Sequence, residues 1–161
     1  MKKEFTRLFK ENQGIVHKIC NIYFYNRLEK EDYFQEIVIE LWKAFPNFKG
    51  ESKFSTWMYR VALNSAIDLL RKEKTQPQLI KFTQREFDIP DNQAKVNSGK
   101  QEKLYRAINL LSEVEKAIII LYLEDYSYKE ISEIVGISET YTGVKINRIK
   151  TDLQKKLNHG N

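Results

Sequence analysis

"YSYKEISEIVGISETYTGVKINRIKTDLQKKL" (residues 126–157) turns on Gly136. Before it, Tyr128–Val135 reads as a short helix with Ile131, Ile134 and Val135 facing a core. Gly136 stands where a left-handed helix cap is wanted, a conformation glycine adopts at little cost. Ile137 fills the turn, Ser138 is placed to cap, and a long helix follows over 139–157. Helix, glycine turn, helix is the helix-turn-helix arrangement, whose second helix enters the DNA major groove by its N-terminal part. On that helix Val144, Ile149 and Leu153 are expected inward, with Leu157 extending the stripe. Glu139, Thr140, Tyr141, Lys145 and Arg148 are left for solvent or DNA. Hydroxyls bond phosphates or base edges, and Lys and Arg neutralise phosphates. A helical hairpin with a solvated charged face is the plainer alternative. Gly143 costs ~1 kcal/mol mid-helix relative to Ala, which makes sense if something approaches the backbone there.

Outward from this stretch, helix starts are plentiful and strand signals weak. Asp32-x-x-Gln35, Ser112-x-x-Glu115 and Ser127-x-x-Glu130 have the form of capping boxes, in which two side chains satisfy helix-end N–H groups reciprocally. Helices are predicted near 4–26, 32–44, 55–73, 101–110, 113–123, 128–135 and 139–157. The expected fold is all-α, with two small helical domains, 1–74 and 101–161, joined by a linker over 75–100. That linker holds Pro77, Pro90 and an "NSGK" run without sustained periodicity. Within it, "LIKFTQREFDI" has apolar residues suited to docking on a neighbour.

Charge is distributed unevenly along the 161 residues, which carry +5 in all. From Leu28 to Leu41 five carboxylates face Lys30 alone, and from Lys43 to Lys74 seven bases face three acids. The second half repeats the order, with −3 over Gln101–Gly136 and +3 from Ile137 onward. Basic stripes attract polyanions, and acidic patches suggest a second partner that is not nucleic acid. The longest apolar run, Ala117–Leu123, is far short of the ~20 residues of a spanning helix. No secretory h-region follows the N-terminal lysines. Cys20 is the single cysteine, which excludes an internal disulfide and fits a reducing cytoplasm.

The basic part of the first half contains "FSTWMYRVALNSAIDLLRKEK" (residues 54–74). At 100° per residue, Phe54, Met58, Val61, Ala62, Ser65 and Leu69 share one face. Lys53, Thr56, Arg60, Asn64, Ile67 and Arg71 share the other, flanked by Trp57 and Tyr59. Amide, hydroxyl and guanidinium groups suit bases and phosphates, and aromatic rings stack on unpaired bases for ~1–3 kcal/mol each. Such a set suits opened, single-stranded DNA.

Taken together, these features resemble the extracytoplasmic-function sigma factors of bacterial RNA polymerase, within the sigma-70 family. The region-2 likeness rests on Asp32-x-x-Gln35-Glu36, Leu41-Trp42, Phe54-Ser55-Thr56-Trp57-Met58-Tyr59-Arg60, Asn64, Asp68 and Arg71. The region-4 likeness rests on "LSEVEKAIIILYLEDYSYKEISEIVGISETYTGVKINRIK". The resemblance implies that the acidic helix with Asp32, Gln35, Glu36 and Glu40 docks on a coiled coil of the polymerase's largest subunit. It implies that loop Pro46–Phe54 and the next helix, through Lys53, Thr56, Tyr59, Arg60, Asn64 and Arg71, recognise and melt the minus-ten element. The helix-turn-helix, through Ser138, Thr140, Tyr141, Lys145 and Arg148, would read the minus-thirty-five element as duplex. Core RNA polymerase, promoter DNA and an anti-sigma factor are the implied partners, in the cytoplasm and without membrane insertion. Two departures bear on which promoter is read. Gly143 stands where many members have a basic residue, and Tyr141 replaces a smaller one.

Other chemistry is weakly represented. His17 and Cys20 sit three apart, but with His159 as the only further soft ligand no metal site is assigned. Glu124 and Asp125 fall in a predicted turn without a partner base. No phosphate-loop, zinc-protease or nucleophile motif occurs, so neither a cofactor nor catalysis is expected. Asp68 and Arg71, one turn apart, also fit an ordinary surface ion pair. Two rival classes stand beside the sigma reading. A helix-turn-helix regulator without sigma activity would leave the acidic helix idle, and a small nuclease would need clustered carboxylates for metal.

Overall fold

The computed structural model describes residues 1–25, 27–75 and 99–159, and these are helical with no strand among them. They divide between two compact units, Met1–Pro90 and Asp91–Asn161. The expected linker core and its apolar "LIKFTQREFDI" segment lie outside the described residues; Thr75, Gly99 and Lys100 belong to the flanking helices.

In the first unit, α1 (Lys2–Asn12) and α2 (Gly14–Tyr23) replace the single helix expected over 4–26. The break falls beside Gly14, the residue with the lowest helix propensity after proline. Helix α3 (Lys30–Ala44) starts two residues before the expected point. Its N-cap is Glu29, without a side-chain cap bond, so the Asp32–Gln35 box does not form. Asp32 instead lies in the first turn with Glu31, where the helix dipole favours negative charge. The earlier start places Tyr33 over Phe24, with ring centroids 4.1 Å apart. A 3-10 turn, Phe45–Asn47, leads through an exposed loop to α4 (Phe54–Thr75).

Helices α2, α3 and α4 pack on one another around Val16, Ile19, Phe24, Ile37, Leu41, Met58, Ala62 and Ala66, all fully buried. Cys20 lies inside this core, where burial pushes its thiol up to about 11 against the opposing pull of Lys30. It therefore stays protonated at neutral pH. His17 is exposed and stacks on Phe34 at 4.5 Å. Among the described residues, no three His, Cys, Asp or Glu side chains gather as a metal site would require.

One polar cluster ties the end of α4 to the start of α3. Glu73 pairs with Arg27 and accepts a 3.0 Å hydrogen bond from the Tyr33 hydroxyl. Burial, then the hydrogen bond to Glu73, raise the Tyr33 phenol from 10.0 to about 12. A raised value stabilises the fold fully below pH 10, and that contribution fades as pH climbs toward 12. Replacing Glu73 by alanine strands a half-buried guanidinium and the phenol. Because Arg27 keeps some contact with water, the expected loss is about 1–3 kcal/mol rather than the full cost of a buried charge. A urea midpoint equal to that of the wild type would show that solvent replaces Glu73 at no cost.

The second unit contains α5 (Gly99–Asn109), α6 (Glu113–Leu123), α7 (Tyr128–Val135) and α8 (Glu139–His159). Both serine boxes form as expected. Ser112 and Glu115 exchange bonds of 3.2 and 3.0 Å, and Ser127 and Glu130 exchange bonds of 3.1 and 3.0 Å. Glu124 and Asp125 lie in the turn after α6, with Asp125 at φ 66. Helix α8 packs on α5, α6 and α7.

Candidate nucleic-acid interface

The turn between α7 and α8 is built from short-range hydrogen bonds. Gly136 is left-handed at φ 87, and its N–H reaches the Ser132 carbonyl at 2.8 Å. The Ser138 hydroxyl accepts from the Tyr141 N–H at 3.0 Å and so caps α8. Ser138, expected among the DNA contacts as well, has its oxygen committed to that cap. Burial along α8 falls on Thr142, Ile146, Ile149 and Leu153, spaced four, three and four. Val144 therefore does not face inward as expected: it lies 200° from Thr142 at helical spacing and is 41% exposed. Ile146 takes the inward place. The outer face consists of Thr140, Tyr141, Val144, Asn147 and Arg148, all exposed. The close approach expected at Gly143 comes from within the domain. A Cβ there would stand 3.3 Å from the Tyr128 ring.

Lys145 is not left to solvent. Its ammonium lies 3.5 Å from a Glu115 oxygen and 5.8 Å from the centre of the Tyr141 ring. The N–H of Ser112, backed by its hydroxyl and by Lys145 against the cost of burial, holds the Glu115 carboxyl below the usual range.

On α4, Lys53, Arg60, Asn64 and Arg71 are exposed and Thr56 is half-buried, in one line. Tyr59 departs from the expected interface. It is 2% exposed, one of the largest fully buried side chains, and belongs to a stripe with Leu63, Ala66 and Leu70 that faces the neighbouring helices. The inward face is thus broader than Phe54, Met58 and Ala62 alone and rotated toward Tyr59, leaving Val61, Ser65 and Leu69 at its margin. Trp57 is half-buried, 5.3 Å from both Phe48 and Phe54 and 6.1 Å from Phe45. This aromatic cluster anchors the exposed loop of Lys49, Gly50, Glu51, Ser52 and Lys53 at both ends. Gly50 turns that loop at φ 75.

On α3, Asp32, Gln35, Glu36 and Glu40 are all exposed. Beside them stand two apolar residues that the sequence reading passed over as docking groups, Ile39 at 49% exposed and Trp42 at 41%. Ile39 stands three residues after Glu36 and Trp42 seven after Gln35, spacings visible in the sequence. Their exposure depends on where α2 and α4 pack.

Residues 8–76 match the family model for Sigma-70 region 2, and residues 101–154 match the one for Sigma-70, region 4. Among curated relatives, the ECF RNA polymerase sigma-E factor of Haemophilus influenzae is 26% identical over 97% of this chain and 88% of its own length. The ECF RNA polymerase sigma factor SigW of Bacillus subtilis is 29% identical over 88% of this chain and 82% of its own. Among solved structures, the sigma factor RpoE in complex with the anti-sigma factor NepR from Bartonella quintana superposes with a TM-score of 0.73. It is 18% identical and matches over 97% of this chain and 98% of that one, a likeness of fold.

Proposed function

Because the chain belongs to the sigma-70 family, as a sigma factor of the extracytoplasmic-function type, we propose that its two units divide polymerase docking and promoter reading between three separate helix faces. Sigma factors of this type bind core RNA polymerase, recognise promoter DNA and help to melt it. In the first unit, the exposed face of α3 docks on core polymerase. Exposed Ile39 and Trp42 stand beside the acidic stripe of Asp32, Glu36 and Glu40, so the face offers an apolar patch next to charge, as protein interfaces do. The exposed line of Lys53, Arg60, Asn64 and Arg71 on α4 meets the minus-ten element as it opens. In the second unit, the outer face of α8 reads the minus-thirty-five element as duplex, with Thr140, Tyr141 and Arg148 toward DNA.

The observation that carries this division is that α4 spends one face on the core and keeps Lys53, Arg60, Asn64 and Arg71 exposed along the other. A regulator that used only its helix-turn-helix would have no use for that stripe, nor for Ile39 and Trp42. The chain acts in the cytoplasm, where core polymerase works, and without chemistry of its own. Among the described residues no helix is long and apolar enough to cross a membrane. The solved relative carries an anti-sigma factor, and a partner of that class is proposed here too. Adding the purified protein to core polymerase should produce run-off transcripts from a subset of promoters in fragmented genomic DNA. Core enzyme that stays silent while the protein alone still shifts duplex DNA would favour the regulator reading.

A further inference from the structure

One carboxylate in the second unit serves two partners. An oxygen of Glu115 accepts the Ser112 N–H at 3.0 Å and completes the cap of α6. The other oxygen lies 3.5 Å from the Lys145 ammonium on α8, with both side chains about three-quarters buried. A pair withdrawn from water is screened by salt less than a surface pair. The cap bond also fixes the carboxylate in place before any DNA arrives. Lys145 is the only cation between Glu139 and Asn147, so Glu115 neutralises the only positive charge in the first turns of the reading helix.

We propose that Glu115 is a positioning residue for promoter reading, one that withholds the Lys145 charge from DNA phosphates. The inference rests on the reading of α8 as the duplex-facing helix. What α8 then offers in its first turns is Thr140, Tyr141, Val144 and Asn147, all exposed and uncharged. Hydroxyls and amides read base edges, and an aliphatic side chain packs on the thymine methyl group. Phosphate neutralisation gives affinity for any sequence, so removing one such contact lowers non-specific binding more than specific binding. Held beside the Tyr141 ring, Lys145 also restrains the orientation of that tyrosine.

The test uses the full-length chain and a mixed-sequence duplex of about 30 base pairs, with affinity followed by fluorescence anisotropy across a potassium chloride series. In Glu115→Gln the amide oxygen still accepts the Ser112 N–H, since glutamine serves in this cap as well as glutamate. The negative charge is lost, and the oxygen that faced Lys145 becomes an NH2 donor, so nothing on this side chain holds the ammonium any longer. The salt slope should steepen by about 0.9, which adds about a threefold loss of affinity between 50 and 200 mM salt. Combining Glu115→Gln with Lys145→Met should restore the wild-type slope, a result that a purely structural role for Glu115 would not produce. An unchanged slope in Glu115→Gln overturns the proposal, as does a shallower slope in Lys145→Met alone, which would place Lys145 on phosphate already. Arg148→Ala separates the two levels of inference. If it lowers the slope while Glu115→Gln does not alter it, the charge brake is wrong and the reading of α8 stands. If neither alters it, both fall.

Discussion

Holoenzyme carrying Arg60→Ala and Asn64→Ala together is expected to assemble normally and to fail at strand opening. Both side chains are exposed, one turn apart on α4, and neither fills the core. Their loss should leave the first unit within the ±0.5 kcal/mol usual for surface changes. Hydrogen bonds that involve a charged group contribute about 1.5–3 kcal/mol, and neutral ones about 0.5–1.5. Losing one of each from the opened strand removes about 2–4 kcal/mol, or roughly 30- to 1000-fold in open-complex occupancy. Permanganate reactivity of promoter thymines on linear duplex reports this directly. Normal reactivity would move strand capture from the α4 stripe to the loop of Lys49–Lys53. That loop is the alternative because the Phe48, Phe54 and Trp57 cluster holds it beside the same helix.

The second large effect is at the opposite surface. Glu36→Lys should weaken binding to core polymerase by about 10- to 100-fold, since a like charge set into a complementary interface costs several kcal/mol at most and less at a wet rim. Glu36 is exposed and three residues from Ile39, so the reversal changes charge without creating a cavity. Circular dichroism and the urea midpoint of the free protein should not move. Ile39→Ser should weaken the same interaction if the proposed face docks, because Ile39 is 49% exposed there and is not needed to fill the core. A pull-down in which Glu36→Lys binds core enzyme as well as the wild type does would remove α3 from the interface.

The two predictions separate because the surfaces they address lie on different helices, α3 and α4, that pack on each other. A residue can be lost from one face of this bundle without disturbing the other, provided the shared core is left alone. The same reasoning makes Tyr59 a poor probe of DNA contact. Its replacement would be read out as unfolding, because it is buried with Leu63 and Ala66.

The helix-turn-helix was legible because its signals act over three or four residues. Ser127 with Glu130, Ser138 with Tyr141, and left-handed Gly136 make bonds whose partners can be counted along the chain. The boundaries of α6 and α7 follow from the same short-range chemistry. Periodicity likewise marked one face of α4 as polar, since alternation at helical spacing needs no knowledge of neighbours. Which apolar residues lie deepest was decided by packing. Tyr59 turned inward and Val144 outward because the helices packed against α4 and α8 set the width and direction of each buried stripe. Asp32 has no capping role because α3 starts at Lys30, with Glu29 as its N-cap, and Tyr33 then stacks on Phe24. The pairs between Arg27 and Glu73 and between Glu115 and Lys145 join residues 46 and 30 positions apart. No local pattern encodes them, because a charge finds its partner only when separate helices bring the two together in space.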